Sequence, residues 1–437
     1  MLDINNNGSS PSTLLGVKNV HFIGIGGIGV SAVARMFLLE GKQVSGSDRS
    51  ESEVTRELAK LGAKIFVGHA TENVANDIDL IIYTIAIPPD NPELARAREL
   101  GIKAITYPQA LGLISADKKT VAVAGTHGKT TTTAMLAQIA ITAQLEPTVI
   151  VGSFLLDHAS NFIAGRGDLF IVEACEYQRS FLNLNPQIVI ITNIEADHLD
   201  YYRDLADIQN AFAELVAKIP ADGFLICNPN DSNLAPILVA AKCQIIDYTQ
   251  IDTKELNLPV PGAHNVLNAQ AALAVAEILK VSPSTSFSAL NKFSGTWRRF
   301  QFKGELPGDV LIYDDYAHHP TEIRATLAAA REKFPERRIM AVFQPHLYSR
   351  TRQLLADFGS SFNDADRVLL APIYAAREMP DGVTSSDQLA EAIGSKATSY
   401  SDLPAITAAL KNTVQPNDLI ITLGAGNICE VAEALLS

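Results

Sequence analysis

The stretch VAVAGTHGKTTTT, Val121–Thr133, decides how this chain folds. Val121–Ala124 is apolar and partly β-branched, which suits a buried strand. Gly125 and Gly128 permit tight turns and the close approach of a ligand. The next segment, TTTAMLAQIAITAQ, sets Met135, Leu136 and Ile139 at helical spacing. A strand, a glycine loop and a helix N-terminus in series make an anion site, because unpaired amides and the helix dipole point at the turn. In a P-loop the lysine reaches the outer phosphates and the next hydroxyl holds Mg²⁺, roles that Lys129 and Thr130 fit. The standard pattern places a further glycine at position 123, where Val123 stands, so the loop is a variant.

Working outward, strand-like runs alternate with helical ones, which predicts parallel sheets covered by helices, an α/β chain. At 437 residues there is room for several domains. The first section, NVHFIGIGGIGVSAVARMFLLEGKQVSGSD, reads as strand, glycine turn, helix and second strand. Gly24, Gly26, Gly27 and Gly29 form its GxGGxG loop, and Asp48 follows at about Rossmann distance. The third section carries LIYDDYAHHP, IMAVFQPHLYSRT and LIITLGAG, each an apolar strand with polar residues at its end. Ligands of such sheets bind beyond the carboxyl ends of the strands.

The formal charge of −13 argues against a general nucleic-acid or anionic-membrane surface. Cys175, Cys227, Cys243 and Cys429 show no paired spacing and read as reduced thiols. The polar N-terminal dozen residues have no basic start or apolar core of a secretory signal, and no apolar run approaches membrane-spanning length. The expected address is the cytoplasm.

Two glycine loops suggest two ligands. A glycine fingerprint alone would also suit a dehydrogenase, but no hydride-transfer site follows it. The economical assignment is a nucleotide sugar at the first loop and ATP at the second. Phosphoryl transfer needs Mg²⁺ with mostly oxygen ligands. Two strands after the phosphate loop end in carboxylates: LFIVEACEY supplies Glu173, and IVIITNIEADHLDYY supplies Glu195, Asp197, His198 and Asp200. By spacing alone His198 is either a metal ligand or a packed histidine.

AGTHGKTTTT, VEACEYQRSF, NIEADHLDYY, PGAHNVLNAQAA, GTWRRFQFKGE, DDYAHHPTEI and FQPHLYSRT occur in the order seen in the Mur ligases, and HFIGIGGIGVSA precedes them. The chain resembles that family from about His21 to its C-terminus. The resemblance implies three domains: a Rossmann-like UDP-sugar domain (1–113), a central P-loop ATPase-like domain with a mostly parallel sheet (114–296), and a Rossmann-like closing domain that brings the amino acid (297–437). It implies an ATP- and Mg²⁺-dependent, amide-forming cytoplasmic enzyme of cell-wall precursor synthesis, a monomer or homodimer. The motifs lie nearest the alanine-adding branch, with UDP-N-acetylmuramate and L-alanine as substrates. The alternatives are a recycling ligase that attaches a whole peptide and a non-catalytic nucleotide-sugar-binding homologue.

Residue roles follow from the same resemblance. Gly125, Thr126, His127, Gly128, Lys129, Thr130 and Thr131 would cradle the phosphates. Thr130, Glu173 and His198 would ligate Mg²⁺. His264, Asn265 and Asn268 match the adenine-side motif, Arg299 an arginine near the phosphates, and Asp315 an aspartate on the nucleotide. His318, His346, Tyr348 and Arg350 would face the amino acid and the reacting carboxylate, and Lys129, Glu173, His198, Arg299, Asp315 and His346 are counted as catalytic. Gly24, Gly26, Gly27, Gly29, Asp48 and His69 would serve the UDP-sugar. One motif departs from the family: EACEYQRSF stands where a more acidic EADES-like run is usual, so Cys175, Tyr177, Gln178 and Arg179 change the local charge. A base is needed for the ammonium proton, and the sequence offers several histidines without choosing among them.

Overall fold

The computed structural model describes residue 14 and residues 16–158, 160–376 and 378–437. The polar lead-in lies outside that range. The α/β reading holds: three sheets follow one another along the chain. The first contains β1 (Asn19–Ile23), β2 (Gln43–Asp48), β3 (Lys64–Val67), β4 (Leu80–Tyr83) and β5 (Lys103–Thr106). Its order is β3-β2-β1-β4-β5 and every pairing is parallel. The order reverses between β1 and β4, so a crevice opens at their carboxyl ends, where the first glycine loop lies.

The second sheet contains β6 (Lys119–Ala124), β7 (Thr148–Leu155), β8 (Ser160–Ile163), β9 (Leu169–Glu173), β10 (Ile188–Ile191), β11 (Phe224–Cys227) and β12 (Gln244–Asp247). It runs β12-β11-β10-β6-β9-β7-β8, parallel except for the β7–β8 pair. β6 therefore sits between the two strands that end in carboxylate-bearing loops, β9 and β10. Val121–Ala124 are wholly buried, as a strand covered on both faces must be.

The third sheet contains β13 (Gln301–Leu306), β14 (Val310–Asp315), β15 (Ile339–Phe343), β16 (Arg367–Leu370), β17 (Ala397–Ser399) and β18 (Leu419–Leu423). Its order is β13-β14-β18-β15-β16-β17, with only β13–β14 antiparallel. Carboxyl ends of β14, β18 and β15 are thus adjacent.

The chain forms two compact units. One comprises residues to Asp252 with Ala269–Ala289; the other comprises Thr253–Asn268 and Leu290–Ser437. Within the first unit, the first two sheets share one apolar core. The helix Ile28–Leu39 reaches both, because the side-chain amide of Asn161, in β8, donates to the Ile28 carbonyl and to Ser31 Oγ. No helix among the described residues is long and apolar enough to cross a membrane. All four cysteines are free thiols.

β1 and β2 approach closely at Gly46, where a Cβ would lie 2.8 Å from the Phe22 carbonyl oxygen and 2.6 Å from Ile25 Cδ1. Backbone cannot yield as a side chain can. Gly46→Ala is expected to lower stability by about 1–3 kcal/mol, read as an earlier urea-unfolding midpoint.

Candidate active site

The phosphate loop is fixed from the β10 side. Gly125 has φ +128°, and a Cβ there would meet Thr192 Oγ1 at 2.0 Å. The valine at 123 is not the turning residue; it is a buried strand residue, and Gly125 makes the turn. The Thr192 hydroxyl donates to the His127 carbonyl at 2.5 Å. The His127 amide donates to Asn193 Oδ1 at 2.9 Å, and Glu195 N–H donates to Thr126 Oγ1 at 2.9 Å. Gly128, at φ +82°, starts the helix Lys129–Thr142 with no side-chain cap. First-turn amides of an uncapped helix are left to a ligand or solvent.

The Lys129 side chain folds back over this loop. Its Nζ donates to the Gly125 carbonyl at 2.6 Å, the Thr126 carbonyl at 3.0 Å and Glu176 Oε1 at 3.0 Å. Burial disfavours the ammonium, but the charges of Glu176 and Glu173 outweigh it and raise its pKa above the ordinary lysine value. Thr130 Oγ1 donates to Glu173 Oε1 at 3.1 Å, and Glu173 Oε2 accepts from the Gly152 amide at 2.7 Å. A side chain on Gly152 would meet that carboxylate at 2.8 Å.

His198 completes the group. It sits at φ +54°, and its Nε2 lies 3.7 Å from Glu176 Oε1. Its Nδ1 and Glu176 Oε2 are both buried without a hydrogen-bond partner among the described residues. The sequence reading brought Lys129, Thr130, Glu173 and His198 together, and the structure does too. It missed Glu176 as a site residue, although that glutamate stands in the same motif. Glu176 is 4% exposed at its side chain, and its carbonyl accepts from Tyr202 Oη at 2.5 Å.

The altered motif around Glu176 resolves simply. Gln178 and Arg179 both adopt left-handed backbone, at φ +51° and +55°. Arg179 is thereby turned onto the helix Leu205–Ala217, where it pairs with Asp207 at 2.9 Å and with Glu214. Its charge is spent on that helix. The Tyr177 ring lies 5.0 Å from the His198 ring, tilted by 49°.

The first glycine loop is braced rather than open. Gly24 and Ile25 amides donate to the Ser47 carbonyl at 2.8 and 3.0 Å, and the Gly26 amide donates to Asp48 Oδ2 at 2.8 Å. Gly27 precedes the helix Ile28–Leu39. Gly29 passes the Tyr107 ring so closely that a Cβ would sit 2.6 Å from it. Tyr107 itself is half-buried; desolvation and neighbouring negative charge, Glu173 included, push its pKa above the ordinary tyrosine value. This tyrosine, carried by no motif, links the surroundings of the two loops. His69 follows β3, with Nδ1 2.9 Å from Ser47 Oγ and 3.5 Å from Glu93 Oε2. Glu93 is wholly buried; burial would raise its pKa, but His21, Ser47 and Asn73 together hold it below the ordinary value.

The second unit carries the remaining candidates. The two adjacent arginines divide. Arg298 is a scaffold residue: Nε meets Asp314 Oδ2 at 2.7 Å, and the guanidinium donates to the Gly424 and Gly426 carbonyls at 2.7 and 2.9 Å. Arg299 is partly exposed, 5.4 Å over the Tyr316 ring and 4.0 Å from Glu322 Oε1. Asp315 accepts from the Phe300 and Ala317 amides at 2.6 and 2.8 Å. Burial pushes its carboxyl up to about 6, against the pull of Arg299 and those amides. His264 opens the helix Ala263–Ile278; burial, helped by Arg299, lowers its pKa. Asn265 Nδ2 donates to the Pro261 carbonyl at 2.7 Å, and Asn268 Nδ2 to Asn265 Oδ1 at 3.3 Å.

His318, His346 and Arg350 form one cluster. The two imidazoles are 5.9 Å apart, and Arg350 Nη1 is 3.3 Å from His346 Nδ1. Tyr374, another residue without a motif, stacks on His346 at 5.8 Å and 15°. Tyr348 lines a polar cavity of about 420 Å³ beside Ser385, Ser386 and Ser399.

A chain with a P-loop-like turn before an uncapped helix, a braced Rossmann-like loop and a third α/β sheet has the layout of an amide-forming ligase. Family profiles agree: "Mur ligase family, catalytic domain" matches residues 19–119, "Mur ligase middle domain" 123–257, and "Mur ligase, glutamate ligase domain" 298–426. The chain belongs to the Mur ligase family. It is 43% identical to the UDP-N-acetylmuramate–L-alanine ligase of Clostridium acetobutylicum, over 96% of this chain and 98% of that one. Among solved structures it is similar to UDP-N-acetylmuramate–alanine ligase MurC of Thermotoga maritima, with TM-score 0.80, 30% identity, and coverage of 96% and 98%. A murein peptide ligase of Psychrobacter arcticus follows with TM-score 0.69, 26% identity, and the same coverage.

The arginine pair gives a direct test. Arg298→Ala leaves Asp314 buried and unpaired and is expected to cost about 3–5 kcal/mol in urea unfolding. Arg299→Ala is expected to change stability by less than about 1 kcal/mol and to reduce nucleotide-dependent turnover at least about 10²-fold.

Proposed function

We propose that the protein joins L-alanine to the carboxylate of UDP-N-acetylmuramate, driven by ATP, through an acyl phosphate. The observation that carries this reading is the Lys129–Thr130–Glu173 arrangement at an uncapped helix N-terminus, in a chain similar over nearly its whole length to relatives of that name. A cytoplasmic setting belongs to the same reading.

A carboxylate resists attack by an amine because oxide would have to leave. Transfer of the γ-phosphoryl group gives it a good leaving group, phosphate. That step brings two anions together, so positive charge has to be in place beforehand. Lys129 supplies it, held over the loop by two carbonyls, and the first-turn amides of its helix add their dipoles. Glu176 orients the ammonium in the meantime.

Thr130, Glu173 and His198 would hold Mg²⁺. The donor set fits: a hydroxyl and a carboxylate already touch, and Glu176 Oε2 and His198 Nδ1 are buried polar atoms without partners among the described residues. When bound, the ion neutralises phosphate charge. Gly24, Gly26, Gly27 and Gly29, with Asp48 and His69 beside them, form the proposed UDP-sugar subsite. His264, Asn265, Asn268, Arg299 and Asp315 form the nucleotide side of the second unit, and His318, His346, Tyr348 and Arg350 its amino-acid side.

The test is phosphate release with UDP-N-acetylmuramate, ATP and Mg²⁺, adding one amino acid or a tripeptide at a time. Alanine is expected to stimulate release strongly; stimulation by the tripeptide alone would make the protein a peptide-recycling ligase. Lys129→Ala is expected to cut turnover at least about 10³-fold while UDP-sugar binding, measured by calorimetry, persists. Loss of both together would contradict the two-loop assignment.

A further inference from the structure

Amide formation needs a group that takes a proton from the alanine ammonium. We propose that His318 is that base, through Nε2, and that His346 is a hydrogen-bond donor to the amino acid's carboxylate, also through Nε2. This deepens the function proposed above and rests on it.

The assignment follows from which partners can only donate and which can only accept. The Tyr316 carbonyl oxygen lies 3.0 Å from His318 Nδ1, and a carbonyl only accepts. The proton of neutral His318 is therefore on Nδ1, and the lone pair is on Nε2. Glu322 Oε2, 3.3 Å from the same nitrogen, reinforces this tautomer. Glu322 is itself pinned: its carboxylate accepts from the His318 and His319 amides at 3.0 and 3.3 Å, in the capping box of the helix Pro320–Lys333. A fixed carboxylate behind an imidazole holds the ring and stabilises the imidazolium formed when Nε2 takes a proton.

His346 has the opposite arrangement. Arg350 Nη1 is 3.3 Å from its Nδ1, and a guanidinium only donates. Nδ1 must accept, which puts the proton on Nε2. Tyr374 holds the ring from one face, and Gly426 leaves room for that tyrosine, since a Cβ there would lie 2.8 Å from it. Among the described residues of the second unit, Glu322 and Tyr316 contact His318, Arg299 lies against both of these, Arg350 and Tyr374 contact His346, and the two histidines face each other.

In the proposed step, His318 Nε2 takes a proton from the ammonium. The freed nitrogen pair forms the C–N bond at the acyl carbon, and the carbonyl π pair moves onto its oxygen. That oxygen re-forms the double bond as the C–O bond to phosphate breaks, and phosphate leaves with the pair of the broken bond. A second proton passes from the new amide nitrogen to the departing phosphate, and the imidazolium returns its own proton to phosphate or solvent.

Four variants test this, because asparagine places a polar atom near the position of Nδ1 and glutamine near that of Nε2. The acyl phosphate is trapped separately with hydroxylamine, a largely neutral nucleophile at pH 7 that needs no base. His318→Asn and His318→Gln are both expected to lower kcat for amide formation about 10²–10³-fold and to remove the acid limb of its pH profile. Hydroxamate should still form in both. His346→Asn is expected to raise the KM for alanine about tenfold or more, and His346→Gln, which restores a donor, to recover most of it. The proposal is overturned if His318→Gln keeps kcat within about tenfold of wild type, if the acid limb persists, or if hydroxamate formation is lost along with amide formation. It is equally overturned if glutamine at 346 does no better than asparagine. Absence of alanine-dependent turnover in the unaltered protein would instead refute the function proposed above.

Discussion

The site depends on how closely one loop passes one strand end. β6 lies directly against β10, so the chain leaving β6 must turn in the space beside Thr192. Only a residue without a side chain fits there, and Gly125 takes a backbone conformation few other residues adopt. Thr192, Asn193 and Glu195 then hold the loop through the His127 carbonyl, the His127 amide and the Thr126 hydroxyl. Because the loop is fixed, the next helix starts without a cap, and Lys129 can lie back across the turn. Position of the cation, the open amides and the neighbouring carboxylates all follow from that one close passage.

The electrostatic arrangement is one of charges kept near one another but unevenly satisfied. Lys129 is half-buried and yet stays charged because Glu176 and Glu173 face it. Glu176 spends one carboxylate oxygen on Lys129 and leaves the other without a partner among the described residues. Such a group is costly unless something else is to pair with it. Elsewhere the balance is closed: Arg298 and Asp314 satisfy each other, and Arg179 is absorbed by Asp207 and Glu214. Fixed scaffold charges therefore surround a smaller set that a ligand would complete.

Much of this was legible in the sequence. An apolar run ending in glycine, lysine and threonine has few other structures open to it, and β6 with its helix forms where the periodicity places them. Strand-end carboxylates at Glu173 and His198's neighbourhood came from the same logic. The distinction between Arg298 and Arg299 was not legible in physical terms. Left-handed backbone at Arg298 and Phe300 breaks the alternation that would assign each side chain a face. Nor were Tyr107 and Tyr374, whose roles arise from contacts with Gly29 and His346 far along the chain. The same holds for Glu93, buried under Ser47 and His69 from two different strands' ends.

The claim beneath this account is that the cradle around Lys129 sends a phosphoryl group onto a carboxyl oxygen of the sugar acid. It is tested most directly with UDP-N-acetylmuramate labelled with ¹⁸O in that carboxylate, by mass spectrometry of the phosphate released during turnover with alanine. The account predicts one labelled oxygen in each phosphate. Release of unlabelled phosphate, at the rate of amide formation, would contradict it.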